Sequence, residues 1–401
     1  MGTFEDNLKD GFFRHVCQTS AAPLGIVVAC ARGTKIWDTD GREYLDLLAG
    51  MGVANLGHAH PVVIQAIEKQ IASYLHVSVY GEMVQQPQVE LARRLAAITP
   101  GDLSVVYFTN SGTEAVEGAL KTARKFTGRS RLIAFDGAFH GDTFGALSVG
   151  GNPIYQQPFH PLLPGVEMLP FDDVSALGRI DTSVAAVIVE PVQGEGGVRI
   201  PSEGFLPALR RRCSEIGALL IADEVITGFG RTGKLFACEH WNVVPDILVL
   251  AKALGGGMPL GAFVGRPEVM QTLSHDPPLA HVTTFGGHPV CCAAGLAALE
   301  YLVREQLVQR VARIGAQWLE ELRTITARAG CTVRGKGLLM ALDFETPEVT
   351  RRFVTRCFER GLILNWTLHR DTVVRLAPPL TITADEMHQA NSVIETALSS
   401  E

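Results

Sequence analysis

The chain has 401 residues, 47% of them hydrophobic and 19% charged, which is enough to bury a large core divided over two or three folding units. A formal net charge of −7 without any long Lys/Arg run leaves no electrostatic footprint for nucleic acid or an anionic membrane surface. No stretch of about eighteen uncharged apolar residues is present, and the mixed-charge start MGTFEDNLKDGFFRHVCQTS lacks the basic-then-apolar order of an export leader, so the expectation is a cytoplasmic protein acting on small molecules.

Near the start, GTKIWDTDGREYLDL reads as a strand-like piece with a DG turn signal. In LGHAHP, His58 and His60 are expected to serve as loop and cap residues. PVVIQAIEKQIASYL opens with Pro61 at a helix start and sets Val63, Ile67, Ile71 and Tyr74 on one stripe. SVVYFTN (104–110) predicts a short strand feeding the helix SGTEAVEGALKTARKF. The short apolar runs VAAVIVEP (184–191), ALLIADEV (218–225) and DILVLAK (246–252) have the pattern of strands buried on both faces, and their alternation with helices implies a largely parallel sheet. Beyond Gly287 long helices take over. The clearest spans 305–330, where Leu307, Val311, Ile314, Trp318, Leu322 and Ile325 recur every three or four residues and Gly330 ends the run. CTVRGKGLLMALDF and VVRLAPPL read as strands of a separate, smaller sheet. The expected organisation is a large unit at 50–287, with 1–49 and 288–401 together building a smaller one.

The eight cysteines (17, 30, 213, 238, 291, 292, 331 and 357) form no CxxC pair and are expected to be buried thiols in a reducing compartment, the adjacent Cys291 and Cys292 packing within an apolar helix. Gly228, Gly230 and Gly233 satisfy G-x-G-x-x-G, but the segment that follows has no strong helix start and no acidic residue ends a second strand at the expected interval, so no dinucleotide site is read there.

Three features carry chemistry. In FTNSGTEAVEGAL, a strand runs into Ser111-Gly112-Thr113 and a helix whose Ser111 and Glu114 fit a capping box. The free N–H groups, helix-end field and small hydroxyls of such a junction suit a phosphate, although capped helices after strands are common and this one needs partners. In IADEVITGFGRTG, an apolar strand ends at Asp223, on the edge where open α/β sheets bind ligands. In PDILVLAKALGGG, Lys252 follows another apolar strand. Desolvation there lowers a lysine's pKa and makes its amine nucleophilic toward an aldehyde. A cap for Asp223 and a snorkelling end for Lys252 are the plain alternatives.

Taken in order, Ser111-Gly112-Thr113, Phe139-His140-Gly141, Glu190-Pro191, Asp223-Glu224-Val225, Lys252 and Thr283-Thr284-Phe285-Gly286-Gly287 resemble the class III aminotransferases, a pyridoxal-phosphate (PLP) fold-type I group acting on ornithine, acetylornithine, GABA and diamines. The resemblance covers nearly the whole chain. It implies an α/β fold with a mostly parallel seven-stranded sheet and a smaller α+β part from both termini. It also implies transfer of an amino group from an amine, diamine or ω-amino acid to a keto acid such as 2-oxoglutarate or pyruvate. An acetylornithine- or ornithine-type activity, or epimerisation with the same cofactor, remains open at this stage. By the same resemblance, Lys252 holds the cofactor as a Schiff base and shuttles protons, while Asp223 partners the pyridine nitrogen. Val225 and Phe139 sandwich the ring, with His140 and Glu190 in the same cofactor-binding set. Ser111, Gly112 and Thr113 hold the phosphate, Thr284 reaches that of a neighbouring subunit in a homodimer, and Arg375 binds a substrate α-carboxylate that Glu195 replaces when the donor has none.

Two positions depart from the pattern. Relatives acting on ornithine, acetylornithine or GABA usually read FHGRT, whereas this chain reads FHGDT with Asp142. An acid there repels a distal carboxylate and welcomes an ammonium. Ile226 stands where many relatives carry a Gln that donates to the cofactor's phenolic oxygen.

Overall fold

The computed structural model describes residues 4–20, 23–79, 82–327 and 329–399. Its largest sheet has seven strands, in the spatial order Val105–Thr109, Gly261–Gly265, Ile247–Leu250, Leu219–Asp223, Val184–Val189, Arg131–Phe135 and Val166–Leu169. The five strands from Ile247–Leu250 to Val166–Leu169 are mutually parallel. Gly261–Gly265 alone runs antiparallel to both its neighbours, so Val105–Thr109 points the same way as the five. The predicted apolar strands are these central ones: every residue of Val184–Val189, Leu219–Asp223 and Ile247–Leu250 is buried, because helices cover both faces. As six strands run one way, their carboxyl ends share one edge of the sheet.

The smaller strands form two four-stranded sheets, one of them holding both segments expected to make a separate smaller sheet. Val28–Arg32, Lys35–Asp38 and Glu43–Asp46 make a meander completed by Leu362–Ile363, which pairs parallel to Glu43–Asp46 and joins the two ends of the chain. Thr332–Lys336, Leu339–Asp343, Val373–Leu376 and Asn365–Trp366 form the other, wholly antiparallel. The long helix runs Leu307–Thr326, shorter than predicted at both ends. Gln306 before it sits at φ 51° and Gly330 turns left-handed three residues after Ala327. Its stripe is buried as expected at Leu307, Val311, Ile314, Trp318 and Leu322.

One expectation needs correction. Cys17 and Cys30 are exposed; the other six cysteines are buried, and none of the eight is paired. Cys30 lies on Val28–Arg32, most of which faces out. The helix Pro61–Ser73 buries Val63 but leaves Ile71 exposed. Ile71, Leu75 and Phe285 instead line an apolar groove open to the outside. His58 pairs with Asp46 at 2.8 Å, and His60 precedes the helix as its N-cap residue, its ring against Tyr301.

Arg231, in the glycine-rich turn, is completely buried and ties three distant segments together. It donates to the carbonyls of Leu338 and Pro378 and to Asn55 Oδ1, and burial pulls its pKa down to about 9. Arg231→Ala strands those acceptors in the core, so we expect a loss of about 3–5 kcal/mol of unfolding free energy, read as a lower denaturation midpoint.

Candidate active site

The functional side chains sit just past the carboxyl ends of the parallel strands, where the chain leaves the sheet and backbone groups lose their ladder partners. After Thr109, Ser111 caps the helix Gly112–Thr127, accepting from Glu114 N at 3.3 Å. The reciprocal bond of the capping box shifts back by one residue, Glu114 accepting from Asn110 N at 2.7 Å. The first N–H groups of this helix lack intrahelical acceptors and, with the helix dipole, face an incoming anion. Gly112 permits close assembly: a Cβ there would stand 3.1 Å from Val225 Cγ1 and 3.4 Å from Ala251 Cβ. The phosphate-type turn therefore rests on the segments that carry Asp223 and Lys252.

Asp223, 3% exposed, ends its strand. One oxygen accepts from Val225 N at 3.0 Å and the other meets His140 Nδ1 at 2.7 Å. Among the described residues the buried His140 Nε2 has no partner. Glu190, at the end of Val184–Val189, is buried and accepts from Phe139 N at 2.9 Å and Gly194 N at 2.8 Å. It thereby braces the Phe139 loop against the turn leading to Glu195. Burial raises its pKa to about 7, with the charge of Asp223 acting in the same direction. Lys252 has φ 48°, a left-handed conformation that costs a non-glycine residue about 1–3 kcal/mol and persists where the surroundings enforce it. Burial, followed by the nearby Arg375, pushes its pKa down; Glu195, Asp223 and Glu190 oppose this.

One cavity of about 790 Å³ gathers Ser111, Gly112, Thr113, Phe139, His140, Asp142, Glu190, Glu195, Asp223, Val225, Ile226 and Lys252. The lysine and the aspartate thus face one space, large enough for a cofactor and a small substrate. Arg375, 1% exposed, stands beyond the lining and pairs with Glu195. Burial works against the charge of Glu195, but Arg375 prevails and its pKa is lowered. Thr284 is exposed and does not line this chain's cavity. Asp142 lines the cavity and is solvent-exposed. Ile226 packs beside Gly52 and Gly194, making an apolar wall where a Gln would donate.

Several neighbours were not legible beforehand. Thr143 lines the cavity beside Thr113, their hydroxyls 2.7 Å apart, and donates to Glu117 Oε1 at 2.6 Å. Met51 places its sulfur 3.8 Å from Arg375 Nη2. Leu368 N donates to Glu195 Oε2 at 2.8 Å. Thr143 adjoins a motif already noted, but no sequence signal marks the other two.

The family model described as aminotransferase class-III matches residues 16–398. This chain belongs to the class III aminotransferases. It is 44% identical to a putrescine aminotransferase from Pectobacterium atrosepticum, over 96% of this chain and 85% of that one. It is 45% identical to an acetylornithine aminotransferase from Methanopyrus kandleri, over 96% of both. Among solved structures, the ornithine aminotransferase of Toxoplasma gondii, described with partial occupancy of PLP at its active site, superposes with a TM-score of 0.92 at 35% identity, covering 98% of this chain and 94% of that one. A PLP-bound amine transaminase from an uncultivated Pseudomonas species gives 0.89 at 32%, covering 96% and 98%. The fold is therefore that of the fold-type I PLP enzymes, the activity is amino transfer, and the family's cofactor is PLP. The donor set fits that group: a helix N-terminus with two hydroxyls for a phosphate, a buried acid for a ring nitrogen, the apolar side chains of Phe139 and Val225 for a ring, and an amine for an aldehyde, all on one cavity.

Proposed function

We propose that this aminotransferase takes its amino group from an amine-bearing donor, such as a diamine or ω-amino acid, and passes it to a keto acid such as 2-oxoglutarate or pyruvate. Within that range Asp142 favours the diamine. Its carboxylate lines the cavity where relatives that grip a distal carboxylate have an arginine, and a negative charge there attracts an ammonium and repels an acid. The two relatives, at 44% and 45% identity, act on a diamine and on an acetylated amino acid, so overall likeness does not choose between donors.

Bound PLP supplies an electron-withdrawing ring that accepts the electron pair released when a substrate carbon loses its proton. Lys252 would anchor the cofactor through its amine and, when that amine is free, would take the proton from the substrate carbon and deliver it to the carbon that had been the cofactor's aldehyde. The lowered pKa supports this role, since a neutral amine is a base and an ammonium is not. Asp223, held by His140 and Val225 N, keeps a positive charge on the ring nitrogen. Ser111, Gly112 and Thr113 bind the phosphate. Arg375 receives the α-carboxylate of the keto acid as a bidentate fork, and Glu195 neutralises that arginine when the donor has no carboxylate to offer.

The protein acts as a cytoplasmic homodimer in this reading. Exposed Thr284 reaches the partner's phosphate site, and the apolar groove of Ile71, Leu75 and Phe285 is covered, as an exposed apolar patch calls for. A panel of diamines, ω-amino acids and acetylornithine, each with 2-oxoglutarate, tests the donor assignment. We expect diamines to be preferred, and Asp142→Asn to raise their KM about two- to fivefold, the small effect of an exposed charge. Preference for acetylornithine, with no diamine effect in the variant, would reverse the reading of Asp142.

A further inference from the structure

The salt bridge between Glu195 and Arg375 is held by more than its two partners. Arg375 lies on Val373–Leu376, and the turn that precedes this strand, residues 367–370, also reaches Glu195. Leu368 N donates to Glu195 Oε2 at 2.8 Å, and His369 N donates to the Glu195 carbonyl at 3.1 Å. One hairpin therefore grips both oxygens of a single carboxylate, Oε1 through the guanidinium and Oε2 through a peptide N–H.

The turn is itself anchored. Thr367 closes it by donating from Oγ1 to the Arg370 carbonyl at 2.8 Å, and Tyr155 donates from Oη to the Leu368 carbonyl at 2.8 Å. His369 Nδ1 sits 3.2 Å from the Gly137 carbonyl. Its ring stacks on Tyr155 at 5.2 Å and meets Phe139 edge-on at 5.7 Å. A keto acid's carboxylate cannot occupy Arg375 until Glu195 leaves, and leaving breaks the Leu368 bond as well as the ion pair.

We propose that Tyr155 is a positioning residue that, through the 367–370 turn, sets how firmly Glu195 holds Arg375 and so sets the balance between keto-acid and amine affinity. The proposal rests on the reading of Arg375 as the keto-acid carboxylate site. When the open arrangement is only a fraction of the population, the apparent affinity for the keto acid is reduced by that fraction. Loosening the turn enlarges the fraction.

Steady-state kinetics of the holoenzyme test this. Tyr155→Phe keeps the ring against His369 and removes one hydroxyl. The KM for 2-oxoglutarate is expected to fall about two- to tenfold, the range of one hydrogen bond, while the KM for the amine donor does not fall. His369→Phe, which loses the bond to Gly137 but keeps an aromatic ring, is expected to move the same KM in the same direction. In a Glu195→Gln background, the Tyr155→Phe effect should vanish. An unchanged or raised 2-oxoglutarate KM in both variants overturns the proposal, as does a shift of equal size without Glu195. Arg375→Ala separates the two levels. If it leaves the 2-oxoglutarate KM unchanged, the carboxylate-site reading fails and takes the proposal with it. If it raises that KM and Tyr155→Phe has no effect, only the role of Tyr155 is lost.

Discussion

Replacing Lys252 with alanine will lower amino transfer by at least about 10³-fold, within the span that a positioned proton-transfer group supplies, and will abolish the visible absorbance of the lysine-anchored cofactor. The fold should survive. Alanine carries the same Cβ into the left-handed backbone at φ 48°, so the local strain is unchanged, and the removed chain points into a cavity rather than into packed core. Lys252→Arg distinguishes charge from chemistry. It restores bulk and a positive charge, but a guanidinium stays protonated and cannot act as a base, so activity should stay as low as in the alanine variant. Stopped-flow half-reactions with a saturating amine donor measure the effect directly. Turnover within tenfold of the parent in either variant would remove Lys252 from the proton-transfer role.

The central sheet was readable from sequence because strands buried on both faces must be apolar along their length, and VAAVIV, ILVL and the first four residues of LLIAD are so. Chemistry stood out for the complementary reason: a charged residue at the end of such a run, as with Asp223 and Lys252, is expensive unless something uses it. Direction was not readable. GAFVG at 261–265 has the same short apolar text whether it runs with its neighbours or against them, and it runs against. The division into two smaller sheets was hidden because Leu362–Ile363 finds its partner at Leu45–Asp46, more than three hundred residues away. At the site, the motif residues Ser111, Asp223 and Lys252 line one cavity, whereas Thr143 and Met51 went unnoticed because no motif marked them, and Leu368 because it acts through a peptide N–H that any residue except proline provides. That Ile71 stays exposed was not readable for a related reason. Helical periodicity marks an apolar stripe without saying whether this chain covers it.

Asp223→Asn is the second large effect expected. The buried carboxylate, 3% exposed, has oxygens already committed to Val225 N and His140 Nδ1, so its position is set by the protein before any cofactor arrives. Its charge is what the asparagine loses. Removing one partner of a buried ion pair costs about 3–5 kcal/mol because the other charge is left uncompensated, and at about 1.4 kcal/mol per decade that is roughly a 10²- to 4 × 10³-fold loss in kcat/KM. The neutral amide can still accept from Val225 N, so local geometry should hold and the loss should fall on chemistry rather than on folding. Asp223→Glu keeps the charge but lengthens the arm, and is expected to recover part of the activity. Measuring kcat/KM at full cofactor occupancy, verified by absorbance, separates the electronic role from simple loss of binding. If Asp223→Asn binds PLP normally and turns over within threefold of the parent, the charge at this strand end is structural, and the pairing of Asp223 with the ring nitrogen must be abandoned.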